Sequence, residues 1–158
     1  MQKELKEIIE ASKESLEKAE NKIEALSEDF TEEASEFWSE LKQRFTKVND
    51  KLNDAYREFD EESELQAHLS MMEARDRLEK LKESAENFAL QASNKTKQEL
   101  DIAALKAHLA KMEAEDTWEK TSKELSHTYA VSKVEAERLA KKAGQEINEI
   151  FLKLTDIV

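Results

Sequence analysis

Two histidines sit forty residues apart inside one repeated phrase. Residues 65–80 read LQAHLSMMEARDRLEK and residues 105–120 read LKAHLAKMEAEDTWEK, with ten of sixteen positions identical. His68 and His108 hold the same place in the two copies, and Asp76 and Asp116 follow them by eight residues. Imidazole and carboxylate together bind transition metals. Two such helices face to face would gather His68, His108, Asp76 and Asp116 into a metal-binding helical bundle. Di-iron bundles, however, place a Glu three residues before the His, so that both ligands share one helix face. Leu65 and Leu105 occupy those positions here. Glu64 lies four before His68, and Ala104 stands at the matching place in the second copy. The spacing therefore favours a structural role, each His half-exposed and flanking an apolar seam beside Leu69 or Leu109. The metal-binding bundle is the alternative.

The carboxylates have an equally ordinary use. Asp76 and Asp116 each precede a Lys by four residues, Lys80 and Lys120. Such pairs on a helix surface contribute about 0.2–0.5 kcal/mol. Nucleophilic chemistry finds no support. Ser and Thr are scattered at capping positions, and the single glycine, Gly144, leaves no Gly-rich turn to cradle phosphate or shape an oxyanion hole. The lack of cysteine excludes disulfides and thiolate sites. The expectation is a protein with no enzymatic activity and no cofactor.

One stretch could recognise a partner. Residues 23–41, IEALSEDFTEEASEFWSEL, hold seven acids and no base, with Phe30, Phe37 and Trp38 among them. Aromatic anchors within an acidic rim formed by Glu32, Glu33 and Glu36 would suit a basic protein partner. The competing expectation is a solvated helix face over core aromatics.

The elements that would carry these residues are helices. The chain has 158 residues, no proline and one glycine, and 39% of it is charged. That composition leaves little turn chemistry for strands and matches a coiled coil or long-helix bundle. Leu5, Ile9, Ser12, Leu16, Ala19, Ile23, Leu26 and Phe30 alternate in steps of four and three, a heptad seam. A turn is expected near 27–31, where Asp29 and Glu32 form a capping-box pattern. A second stripe runs through Ala34, Phe37, Leu41, Phe45, Val48, Leu52, Ala55 and Phe59. Further breaks are expected at the acidic cluster 59–64 and at residues 92–101, with a soft spot at 126–132. A last stripe runs through Leu139, Ala143, Ile147, Ile150, Leu154 and Ile157, with Gly144 inside it.

The repeat encodes packing. Leu65, Leu69 and Met72 form one short seam, matched by Leu105, Leu109 and Met112. A second seam takes over through Ala67, Met71, Ala74, Leu78, Leu81, Ala85 and Phe88. Its counterpart is Ala107, Ala114, Trp118, Thr121 and Leu125. A helix with two adjoining seams touches two neighbours. A fainter third copy, EASEFW at 33–38, lies forty residues before EARDRL and eighty before EAEDTW. One domain spanning 1–158 is expected, built from units of about 40 residues at 26–64, 65–104 and 105–144.

AHLSMMEARDRLEKL and AHLAKMEAEDTWEK, with EFWSELKQRF upstream, resemble uncharacterised bacterial α-helical coiled-coil proteins. The resemblance spans about residues 30–125. It implies a helical fold and no activity.

The fold expected is therefore all-α, an elongated antiparallel bundle or set of coiled-coil hairpins with three to four long helices. The function expected is structural or protein-binding, with self-association. Net charge is −12, with 10 basic and 19 acidic residues in 1–62 against 15 and 18 in the rest. Such acidity opposes nucleic acid and anionic membranes. With no signal-like N-terminus, a cytoplasmic location is the default expectation.

Overall fold

The stripes that repeat in steps of four and three become buried helix faces. The computed structural model describes residues 2–60, 64–93, 102–114 and 118–157. Among them run six helices: α1 (Gln2–Glu24), α2 (Glu32–Asp60), α3 (Glu64–Ser93), α4 (Ile102–Ala114), α5 (Trp118–Val131) and α6 (Lys133–Ile157). A 3-10 turn at Ser27–Asp29 separates α1 from α2. No strand occurs among the described residues. The fold is an all-α bundle with four long helices, of 23, 29, 30 and 25 residues, as the sequence predicts. α3 alone is about 45 Å long at 1.5 Å per residue. No helix among the described residues is long and apolar enough to cross a membrane.

Cross-helix contacts fix the direction of each pass. Lys42 of α2 pairs with Glu24 of α1 at 3.1 Å, and Lys6 of α1 sits over the Tyr56 ring. The two helices are therefore antiparallel. Lys51 meets Glu73 at 3.1 Å near one end of the α2–α3 pair, and Phe37 meets Phe88 near the other, so α3 runs back along α2. The Tyr129 ring of α5 packs on His68, and Trp118 lies near Leu81, so α5 returns along α3. α6 then ascends beside α1, with Lys141 on Glu4, Asn148 on Ser15 and Lys22 on the Thr155 carbonyl. It also ascends beside α3, through Arg75–Glu146 and Glu86–Lys153. α1, α3 and α6 point the same way, and α2 and α5 run opposite to them.

α1, α2, α3 and α6 enclose one core. Every residue of the α2 stripe, from Ala34 to Phe59, is buried in it. So is the second seam of α3, from Ala67 to Phe88. Each large aliphatic or aromatic side chain removed from water there is worth about 1.5–3 kcal/mol. α4 lies over α3 and α2 and adds Ile102, Leu105 and Leu109 to the same core. The first seam of α3 turns toward α5 and α6. There Met72 joins Leu125, Ala136 and Ala143 in a smaller cluster, flanked by Leu69, Trp118, Tyr129 and Leu139. The two seams of α3 thus serve two sets of neighbours, as their overlap predicts.

Gly144 sits where three helices meet. A Cβ built on it would lie 2.5 Å from Ile8 Cγ2 and 2.8 Å from Met71 Cε. The parallel α1 and α6 approach closely there, and the Ser12 hydroxyl donates to the Gly144 carbonyl at 3.4 Å. The helix-propensity cost of glycine, about 1 kcal/mol, is offset by this packing.

One boundary differs from the capping-box reading. Thr31 caps α2 in place of Asp29, its hydroxyl accepting from the Ala34 amide at 3.2 Å. The first repeat copy lies within α3, and the second spans α4, the start of α5 and residues 115–117, which lie outside the described residues. The soft spot at 126–132 is a true boundary, with Ser132 accepting from the Glu135 amide at 3.3 Å to cap α6.

Candidate binding cleft

The bundle separates the two repeated histidines. His68 is 1% exposed on α3, between the rings of Phe59 and Tyr129, with centroids 5.7 and 5.8 Å away. Its Nδ1 is buried without a hydrogen-bond partner among the described residues. Burial holds its pKa below the ordinary 6.5, and the nearby Glu64 opposes this in part. His108, on α4, has Nε2 3.1 Å from Glu83 Oε2, within ion-pair range but off the line of a hydrogen bond. Glu83 stands fifteen residues beyond His68 on α3, so the two histidines lie on the order of 20 Å apart. They do not face each other, and the shared metal site drawn from the repeat is not assembled. Asp76 pairs with Lys80 at 3.5 Å, the i,i+4 pair expected. Asp116 lies outside the described residues.

The sequence reading missed one metal-type pair. Glu124 stands three residues before His127, the Glu-x-x-His spacing, and both are exposed on α5. No third His, Cys, Asp or Glu joins them among the described residues.

The proposed aromatic anchors are core residues. Phe37 and Trp38 are buried, and Phe30 packs partly buried against them. All three rings gather on Phe88 of α3, with Trp38 stacked on it at 6.1 Å and 6°. The Trp38 indole donates to the Glu24 carboxylate, which also takes Lys42, and these bonds hold that carboxyl below its ordinary pKa. The Phe37 and Trp38 rings close one end of the bundle, with Phe30 half-buried at its edge. Glu32, Glu33 and Glu36 remain exposed on the first turns of α2.

A cleft of about 390 Å³ opens between α2, α3 and the start of α5. Its walls are Arg44 and Lys47 from α2, Glu73, Asp76, Arg77, Lys80 and Leu81 from α3, and Trp118 from α5. Arg44 and Lys47 are one turn apart and share a face of α2. Residues 73, 76, 77 and 80 do the same on α3, by the i, i+3, i+4 rule. The acids hold the cations in place. Glu73 is shared by Lys51 at 3.1 Å and Arg77 at 3.2 Å, and Asp76 holds Lys80.

Trp38, Leu78 and Trp118 stand forty residues apart along the chain. Trp38 and Leu78 are buried in the main core, while Trp118 is only partly buried and faces the cleft. A larger groove between α1 and α2 is lined by Glu10, Glu14, Glu17 and Glu20 with Lys13. Burial raises the Glu20 pKa there, with Lys42 opposing.

Compared with protein-family profiles, curated proteins and solved structures, the chain shows no match.

Proposed function

We propose that the chain is a non-enzymatic helical module with a structural or protein-interaction role, and that it self-associates. The observation that carries this reading is where its reactive groups are used. His68 is packed between rings, Asp76 and His108 pair with neighbouring side chains, and the heptad seams are buried within a single chain. What is left outside is a charged surface with a few exposed apolar side chains. Leu90 of α3 and Leu152 of α6 lie toward the end marked by the Glu86–Lys153 pair. Val131 and Val134 flank the α5–α6 turn. These supply apolar contact for a second copy, and the acids on the first turns of α2 suit a basic partner through charge alone.

The test is light scattering with small-angle X-ray scattering over a concentration series, with and without divalent ions. The expected result is a mass that climbs above the 18.3 kDa of one chain as concentration rises. It should be indifferent to the ions and shift toward monomer in Leu152→Asp. A monomer at every concentration would remove self-association. A metal-dependent change of mass or shape, abolished by His68→Ala, would replace this reading with the metal-binding one.

A further inference from the structure

The turn between α5 and α6 is a single residue. α5 ends at Val131 and α6 begins at Lys133, with Ser132 between two helices that run antiparallel. Helix hairpins ordinarily take about two to five residues for that reversal. A hinge this short favours exchange of an element between copies. We propose that α6 is exchanged between two copies of this chain: α5 and α6 straighten into one helix over 118–157, and each α6 packs into the core of the second copy. The straight helix is about 60 Å long at 1.5 Å per residue. The inference rests on the self-association reading and deepens it, because it names how the second copy is held.

The backbone is helical right up to the hinge on both sides. The Ser132 amide donates to the Thr128 carbonyl at 2.7 Å, and the Ala136 amide donates to the Ser132 carbonyl at 3.2 Å. Both span four residues, the α-helical step. Residues 126–136 hold no Gly and no Pro, so no residue there demands a break. Straightening gives the amides of Lys133, Val134 and Glu135 the carbonyls of Tyr129, Ala130 and Val131. What the bend offers in return is the Ser132 hydroxyl, which accepts from the Glu135 amide at 3.3 Å. The apolar seam also ignores the bend. Leu125, Tyr129, Ser132, Ala136, Leu139 and Ala143 alternate in steps of four and three straight through it. All but Ser132 belong to the smaller cluster around Met72. α6 itself buries Ile147, Ile150, Phe151 and Leu154 and pairs Lys141 with Glu4 and Asn148 with Ser15. Each of these contacts re-forms between copies, so exchange gives up no native contact away from the hinge. Val131 and Val134, 74% and 69% exposed, stand at the end of the bundle where the two cores then meet.

The experiment reports which chain supplies α6. The chain has no cysteine, so an introduced pair is read without background. Glu4→Cys with Lys141→Cys replaces an exposed ion pair between α1 and α6. The full chain carrying both is refolded from urea over a concentration series, because α6 must leave its core to exchange. Light scattering gives the mass of each sample. A short bis-maleimide then joins the thiols, and a denaturing gel separates links within a chain from links between chains. Thermal melts establish that the variant is folded. Samples of dimer mass should give covalent dimers, and dilute monomer should give internal links alone. Two hinge variants should move the balance in opposite directions. Ser132→Ala removes the cap of the bent form and should strengthen dimerisation on the order of tenfold. Three glycines inserted after Val131 lengthen the hinge and break the long helix, and should leave a monomer. Dimer mass with links only within chains overturns the exchange and leaves self-association standing. So does a glycine-inserted chain that dimerises as readily as the natural one. Monomer mass at every concentration, in the natural chain and in Ser132→Ala alike, overturns both.

Discussion

At the scale of single residues, two buried polar groups without partners make sharp predictions. Ser84 of α3 is fully buried, and its Oγ finds no hydrogen-bond partner among the described residues. A buried hydroxyl left unpaired costs about 1–3 kcal/mol, and Ala is the better helix former. Ser84→Ala should therefore raise the denaturation midpoint, by about 1 kcal/mol of stability in a urea titration. A loss of stability would show that the hydroxyl has a partner in solution. His68 gives a pH dependence instead. Its folded pKa lies below the ordinary 6.5 because burial penalises the imidazolium. The unfolded chain then binds the proton more readily than the folded one. Stability is full above about pH 6.5 and falls as pH drops through the folded pKa. The groups around the imidazole are Glu64 on its own helix, Tyr129 on α5 and Phe59 on α2. Glu64 reduces the effect without reversing it. Urea midpoints measured between pH 7.5 and 5.5 should fall for the natural chain and stay flatter in His68→Leu. Equal slopes would mean that the imidazole is hydrated or paired when charged. Carboxylates such as Glu24, whose pKa is lowered, contribute their own loss at more acid pH.

At the scale of elements, helix ends separate what the sequence discloses from what packing decides. Three hydroxyl or carboxyl residues stand near the start of α2, and the capping-box pattern favoured Asp29. The chain uses Asp29 to close the 3-10 turn and gives the cap to Thr31. Thr31→Ala should cost about 1 kcal/mol, and Ser132→Ala at the start of α6 a similar amount. Asp29→Ala should cost clearly less, and urea unfolding of the three variants decides it. A larger loss at Asp29 would restore the capping-box reading. The stripes themselves were legible because a heptad records which face is dry. The α2 stripe and the second α3 seam are buried residue for residue. The cleft was not legible, because it depends on a non-local fact. Its cations look like ordinary surface charges until α2, α3 and α5 place them together, and only Trp118 in place of Leu78 marks the position.

At the scale of the whole molecule, the chain is held with unequal strength. α1, α2, α3 and α6 each bury a full stripe in the common core, and α4 joins them through Ile102, Leu105 and Leu109. α5 contributes one fully buried side chain, Leu125, to a cluster otherwise made of one Met and two Ala. Its remaining contacts are partly buried or polar: Trp118 at the cleft, and Tyr129 packed on His68 with its hydroxyl 3.4 Å from Glu64. Burying one Leu yields about 1.5–3 kcal/mol, against about 1–2 kcal/mol of backbone entropy for each of the helix's residues. α5 therefore depends on its neighbours and is the first pass expected to open by itself. Native-state hydrogen exchange should show its amides opening at a free energy well below that of α2 and α3, and below global unfolding. Leu125→Ala should widen the gap, lowering α5 protection while leaving the α2 and α3 amides nearly unchanged. If α5 and α3 instead lose protection together, the smaller cluster is part of one cooperative unit, and the division into a four-helix core with an attached α5 fails.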